Sequence, residues 1–191
     1  MAARNGGGRR VAYLIRYLSM QPEERADLLD WLERGRKTFR DAVAGVTEAE
    51  AARVPGPGQW SVRDCAEHVA VVEEYLYQRL MEGRPDAGAA IPAGRDALIR
   101  ARAADRSRKV PAPEAAVPVG RYGTLEGALA AFEEARARTV KLVETCEEDL
   151  RAKITTHPIL KTVNCHETLF MMAAHPERHA KQVAEIRAAW R

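Results

Sequence analysis

The sequence lacks the features that mark disulfide-rich and membrane-spanning proteins. Among its 191 residues are three cysteines, Cys65, Cys146 and Cys165, with no C-x-x-C pair. We therefore expect free thiols, and neither a disulfide framework nor a zinc knuckle. No apolar run approaches the ~18–20 residues that a membrane-spanning helix requires, and no small-residue cleavage site follows the basic N-terminal stretch. These absences favour a cytoplasmic protein without a membrane partner.

Charge of a single sign is also scarce. The chain has 30 Lys and Arg against 27 Asp and Glu, a net charge of +3, and the two signs are interleaved along most of its length. The most basic stretch, residues 95–110, contains no aromatic side chain on which a base could stack. Because nucleic-acid-binding proteins concentrate positive charge on one surface, we expect a solvated segment here and no nucleic-acid partner.

Aromatic residues make up only 6% of the chain, whereas alanine and leucine are abundant. This composition favours helices over strands. Apolar residues recur at helical spacing in four segments, about 22–45, 61–82, 124–147 and 164–189. Because no regular strand pattern alternates with them, we predict an all-α four-helix bundle, with residues 21–191 as a single domain. Residues 1–20 are predicted to form a flexible extension, and Met20 is an alternative start.

Capping signals support the starts of these helices. Pro22 and the two glutamates after it suit a first turn, because proline has a suitable φ and acidic groups interact well with the helix dipole. Ser61 is followed three residues later by Asp64, and Asn164 by Glu167, which is the spacing of a capping box. A shorter turn between the first two helices opens on the same pattern, Thr47 and Glu50.

The second and third helices are joined by a long proline-rich connection, residues 83–123. We expect a short helix near 94–105 to interrupt it. Connections of this length usually cover a site or have a function of their own. The segment "THPILKTV", residues 156–163, is predicted to be the loop before the fourth helix.

Two histidines, His175 and His179, are four residues apart in the fourth helix. This spacing places both imidazoles on one face, about 5–6 Å apart at Cβ, where they could chelate one metal ion. His68 is the only histidine embedded in a different predicted helix and could supply a third ligand. The spacing alone leaves open a solvated polar face, and Pro176 should kink the helix beside His175.

Other polar residues have simpler expected roles. Trp60 is expected to pack over the first turn of the second helix, or to line the rim of an open site. Asp64 is explained by its cap, although it could also orient His68. Cys65 is more commonly a buried core residue than a thiolate ligand. The remaining side chains are predicted to face solvent or to form turns: Glu67, Glu73, His157 and His166.

Three stretches of the sequence resemble the DinB-like superfamily. They are "WSVRDCAEHVAVVEEYL", residues 60–76, "HPILKTVNCHETLFMMAAHPERHAKQVAEI", residues 157–186, and the proline-rich segment that leads into "RYGTLEGALAAFEEARART", residues 121–139. The resemblance covers the chain from about residue 25 onward and implies a four-helix bundle with three metal-binding histidines, which fall on His68, His175 and His179. Gln182 falls on a recurrent glutamine of the family, and could hold an imidazole by a hydrogen bond.

The resemblance also implies a range of activities. Members of the superfamily include thiol-dependent transferases, which use bacillithiol, mycothiol or glutathione, and metal-dependent hydrolases. We therefore expect a divalent transition metal (Zn, Ni, Fe or Mn), with a low-molecular-weight thiol and a small electrophile as partners. The alternative is a non-catalytic metal-binding bundle, or a stress-related protein that senses ligands or forms a homodimer. No nucleophilic side chain or general base is evident in the sequence, so any chemistry belongs to the metal.

Overall fold

The computed structural model describes residues 20–89, 91–92 and 94–190. Its helices and strands, in chain order, are α1 Pro22–Val43, α2 Glu48–Ala51, α3 Val62–Met81, β1 Arg84–Pro85, α4 Arg95–Arg102, a 3₁₀ turn Glu114–Ala116, α5 Leu125–Thr145, β2 Lys153–His157, β3 Lys161–Asn164 and α6 Cys165–Ala188. Four long helices, α1, α3, α5 and α6, confirm the predicted bundle. The predicted extension over residues 1–20 lies outside the described residues except for Met20, which is buried. The single domain over 21–191 stays a prediction.

The long helices begin where the capping signals indicate. Ser61 and Asp64 form a reciprocal capping box at the start of α3, and Asn164 and Glu167 form another at the start of α6. Thr124 accepts a hydrogen bond from a backbone N–H in the first turn of α5. These bonds satisfy N–H groups that a helix start otherwise leaves without partners. Among the described residues, no helix combines the length and apolar character needed to cross a lipid bilayer.

The helices pack chiefly in two pairs, α1 against α6 and α3 against α5, with α3 also contacting α6. Their apolar side chains form two separate core clusters. One contains Trp31 and Phe170, whose rings are 5.7 Å apart. The other contains Phe39 and Phe132, whose rings meet edge to face at 6.0 Å. The interior of the bundle is therefore divided, and buried polar side chains lie along the helices between the two clusters.

A small antiparallel sheet contradicts the prediction that residues 156–163 form only a loop. Its strand order is β1, β2, β3, with Ile154 opposite both Arg84 and Asn164, and His157 opposite Lys161. The β2–β3 turn places Lys161 at a φ of 62°. Strand β3 ends at Asn164, which is also the N-cap of α6, so the hairpin fixes where the last helix starts.

The connection between α3 and α5 is anchored on the bundle rather than extended into solvent. Its helix α4 packs against α6. Arg95, the first residue of α4, donates to both oxygens of Glu167 and to the backbone carbonyl of Thr162, at 3.0 Å. Further along, the backbone N–H groups of Val119 and Arg121 donate to the carboxylate of Glu67, at 2.7 and 2.8 Å. The connection is thus held at both ends.

Candidate metal centre

Three histidines from two helices meet in the bundle. His68 comes from the second turn of α3, while His175 and His179 come from successive turns of α6. Each offers a ring nitrogen, and these three atoms all lie within 4.8 Å of one another. His68 and His179 are each only 5% exposed, and His175 is partly exposed. We call these three residues the histidine triad.

Hydrogen bonds fix the orientation of two of the rings. Nδ1 of His68 donates to the carbonyl oxygen of Ala116, at 2.7 Å. Nδ1 of His179 donates to Oε1 of Gln182, at 3.0 Å. A neutral imidazole has one N–H and one lone pair, so these bonds leave the lone pair on Nε2 of each ring. Metal-binding histidines generally have this arrangement, in which the ring nitrogen that does not bind the metal donates its proton to an acceptor.

The spacing between rings suits a shared ion. Nε2 of His68 and Nε2 of His175 are 3.2 Å apart. Two imidazole nitrogens on one tetrahedral zinc lie about 3.3 Å apart, because each Zn–N bond is about 2.0–2.1 Å. The ring centroids of His175 and His179 are 4.4 Å apart. The residues present therefore fit a small divalent cation that prefers nitrogen ligands.

The surroundings keep the imidazoles neutral. Desolvation by burial lowers the pKa of His68, and it is the main reason why the pKa values of His175 and His179 lie well below the ordinary range. The neighbouring imidazoles lower the latter two pKa values further, because two adjacent rings cannot both be protonated without repulsion. Neutral rings are the form that binds metal, so no proton has to be displaced at neutral pH.

A chain of polar contacts extends from the triad to the connection. Gln182, which accepts from His179, also accepts from Nη1 of Arg106, at 2.9 Å. Arg106 in turn donates to both oxygens of Glu185, at 3.1 and 2.8 Å. Ala116 and Arg106 both belong to the connection. The segment that crosses the bundle therefore orients one histidine of α3 directly and one histidine of α6 through Gln182.

Trp60 lies against the triad. Its ring is 4.8 Å from that of His68 and stacks over that of His179 at 6.3 Å, with the planes 20° apart. Trp60 also packs against the core cluster that contains Cys65, as the first of its two expected roles requires. Asp64 hydrogen-bonds to Ser61 in the capping box. Cys65 lies outside the triad, and burial raises the pKa of its thiol, which disfavours a thiolate.

Three predictions about individual side chains were wrong. Glu67 and Glu73 were expected to face solvent, but they are 3% and 2% exposed. Both are buried because they have partners: Glu67 accepts from the connection, and Glu73 pairs with Arg136 through two 2.8 Å bonds. His166 was also expected to be solvated, yet it is fully buried against Phe170. His157 does form a turn, since its Nδ1 accepts from two backbone N–H groups.

The largest of the fully buried side chains in the bundle, Arg136, was missed by the sequence patterns. Arg136 is 1% exposed and pairs with Glu73, whose carboxylate also accepts from the hydroxyl of Thr139, at 2.8 Å. We call Glu73, Arg136 and Thr139 the arginine network. The one signal in the sequence is that Arg136 falls between Phe132 and Thr139 on the apolar face of α5. That position predicts burial of the arginine, but not its partner.

The fold and the triad together define a class: four-helix bundles with a candidate metal centre between two helices. The chain belongs to the DinB superfamily, because the sequence profile of that family matches residues 32–183, and this confirms the resemblance. No curated protein sequence matches the chain.

Solved structures that resemble the chain include two four-helix bundle proteins. YfiT from Bacillus subtilis, described as a probable metal-dependent hydrolase with an unusual four-helix bundle topology, is 19% identical, with 89% of each chain covered and a TM-score of 0.55. TT2238, a four-helix bundle protein, is 22% identical, with 84% of this chain and 98% of that chain covered and a TM-score of 0.55. At these identities the likeness establishes the fold.

Proposed function

We propose that this protein binds one divalent transition metal through His68, His175 and His179. The observation that carries the proposal is the convergence of three neutral ring nitrogens within 4.8 Å. Imidazole ligands suit zinc, nickel, iron and manganese to different degrees. Gln182 and the carbonyl of Ala116 would hold two of the rings in the tautomer that keeps Nε2 available.

We further propose that the protein is a metal-dependent thiol S-transferase or a related hydrolase that acts on small electrophiles. Three protein ligands would leave a coordination position open, and an ion held by these histidines would supply Lewis-acid chemistry toward water, a thiol or a carbonyl group. The description of YfiT as a probable metal-dependent hydrolase supports this class of activity. In this reaction the chain would orient the ligands, and the Trp60 ring would shield one side of the triad from water.

A non-catalytic metal-binding or sensing bundle is the second candidate. The observation in its favour is that two surface hollows formed by the described residues do not include the triad. One is lined by residues near Gly45 and Trp190, and the other by the start of α1. Such a protein could act as a homodimer.

Elemental analysis of purified protein tests the metal site. We expect about one divalent metal ion per chain in the wild type and in His157→Ala, and almost none in His179→Ala. His157 is the matched control because its imidazole lies in the β2–β3 turn. Equal metal content in all three proteins would contradict the assignment.

The same three proteins, incubated with monochlorobimane and each of several thiols, separate the two candidate functions. Turnover that a chelator abolishes, and that His179→Ala lacks, supports the transferase. Metal binding without turnover for any thiol favours the sensing role.

A further inference from the structure

Pro176 interrupts the hydrogen bonding of the helix that carries two of the three histidines. Proline has no backbone N–H, so in an α-helix the carbonyl four residues earlier loses its donor. In α6 that carbonyl belongs to Met172, which is 0% exposed and therefore has no access to water. A buried carbonyl without a partner costs about 1–3 kcal/mol. Nevertheless, α6 continues unbroken from Cys165 to Ala188.

Arg136 supplies the missing donor. Its Nη2 donates to the carbonyl oxygen of Met172 at 2.8 Å. The same guanidinium donates to the backbone carbonyl of Leu32 at 2.6 Å and to both carboxylate oxygens of Glu73. One side chain of α5 thereby contacts α1, α3 and α6, and its charge is neutralised by Glu73. Its donors are directed by these bonds, so the guanidinium has little freedom to move.

We propose that Arg136 is a positioning residue for the histidine triad, because it replaces the helical hydrogen bond that Pro176 removes. This inference rests on the proposed metal site. Met172 and His175 lie on the turn that Pro176 disrupts, and the bond from α5 holds that turn in helical geometry. His175 is thereby kept 3.2 Å from His68 of α3.

The packing of α1 explains why this turn requires accurate placement. A Cβ atom added to Gly35 of α1 would lie 2.3 Å from the carbonyl oxygen of Ala173. The two helices therefore approach closely just before His175, and α6 has no room to relax toward α1. A loss of the bond to Met172 would instead let this turn move away from α1, and the position of His175 would change with it.

The zinc affinity of four proteins tests the inference: wild type, Arg136→Lys, Pro176→Ala, and the double variant. Lysine keeps the positive charge beside Glu73, but its single ammonium group cannot span the three sites that the guanidinium fork contacts. We expect the Zn²⁺ affinity of Arg136→Lys, measured by competition with a chromophoric chelator, to fall by about tenfold or more. The double variant should recover to within about threefold of wild type, because replacing Pro176 with alanine restores an N–H that reaches Met172.

The rescue distinguishes positioning from general support of the fold. If Arg136→Lys loses stability in chelator but keeps its zinc affinity, or if Pro176→Ala fails to restore that affinity, the inference is wrong. If the wild type binds none of Zn²⁺, Ni²⁺, Fe²⁺ and Mn²⁺, the proposed metal site is wrong and the inference fails with it. Should Arg136→Lys not fold, Glu73→Leu/Arg136→Met removes the charged pair together, and the same rescue by Pro176→Ala is expected.

Discussion

The histidine triad and the arginine network both place polar side chains of neighbouring helices in the bundle interior, but they satisfy those side chains differently. In the arginine network, opposite charges meet, and Arg136 donates to a carboxylate and to two backbone carbonyls. In the triad, three groups of the same kind face one another, and burial lowers the pKa of each imidazole. The arginine network finds all its partners within the chain, whereas the triad presents ring-nitrogen lone pairs that could bind a cation.

Because of this difference, we expect the arginine network to affect mainly the stability of the fold and the triad to affect mainly metal binding. A buried charged pair with all its hydrogen bonds made is strongly destabilised by loss of one partner, but gains nothing from an added ligand. Converging neutral imidazoles contribute little to the fold by themselves, and become favourable when an ion binds. The two groups meet on α6, where Met172 is bonded to Arg136 and the same turn carries His175.

The largest effect is expected from a variant that disrupts only the arginine network. Glu73→Leu leaves the charge of Arg136 buried without a counterion, so we expect the free energy of unfolding to fall by about 3–5 kcal/mol. Urea unfolding in the presence of a chelator measures it without a contribution from metal. Glu74→Leu is the matched control, because Glu74 is the next residue of α3 and pairs with Arg138 at the surface; it should cost less than about 1 kcal/mol.

Replacing both Glu73 and Arg136 tests whether the loss of stability in Glu73→Leu comes from the unpaired charge. Glu73→Leu/Arg136→Met removes the buried charges together, and such exchanges are often neutral or stabilising by about 1–4 kcal/mol. The bond to Met172 is lost in this variant, so the gain should lie toward the lower end. A double variant as unstable as Glu73→Leu would show that the loss does not arise from an unpaired charge.

Local signals in the sequence predicted much of the fold and the members of the candidate site. Capping boxes depend on residues three positions apart, so Ser61 with Asp64 and Asn164 with Glu167 could be recognised directly. The i, i+4 pair His175 and His179 was visible for the same reason. His68 was a possible third ligand from its helix alone, and the family resemblance placed it beside the other two.

Side-chain partners distant in the chain could not be predicted. Glu73 and Arg136 are 63 residues apart, and each taken alone looks like one more charge on a helix rich in charges. The hairpin was missed because β2 and β3 have five and four residues, too few to show a clear alternation. Ala116 contributes to the site through its backbone carbonyl, which no side-chain pattern reveals.

His166 is a buried histidine outside the triad. It therefore shows how burial affects an imidazole that is not placed to bind a metal. Desolvation lowers its pKa to about 4, and Arg151 adds to this, while Glu24 and Asp96 oppose it. As pH falls below about 6.5, the unfolded chain takes up the proton first, so stability is unaffected above that pH and is lost progressively toward pH 4. A shift of this size corresponds to about 3 kcal/mol.

The expected result concerns the slope of stability against pH. In chelator, His166→Leu should reduce the dependence of the unfolding free energy on pH between about 6.5 and 4.5 by up to about 1.4 kcal/mol per pH unit. Its metal content should equal that of the wild type, because the ring nitrogens of His166 lie 3.3 and 3.7 Å from the carboxylates of Glu24 and Asp96 and are not among the three that converge in the triad. An unchanged slope would mean that His166 is protonated in the folded protein, and a loss of metal would contradict the site.

The smallest expected loss lies in the contacts that join the triad to the connection. Gln182→Leu removes the acceptor that fixes the His179 tautomer, and loss of such a contact typically weakens metal binding by about 10–100-fold. Gln78→Leu is the matched control, since Gln78 is an exposed glutamine bonded to Glu74. Zinc affinity should fall only in the Gln182→Leu variant. Both chelator-treated variants should unfold at similar urea concentrations, because Gln182 is bonded to His179 and Arg106 and not to the arginine network. Equal zinc affinity in both variants would show that the proton of His179 needs no acceptor, and the triad would then depend on α3 and α6 alone.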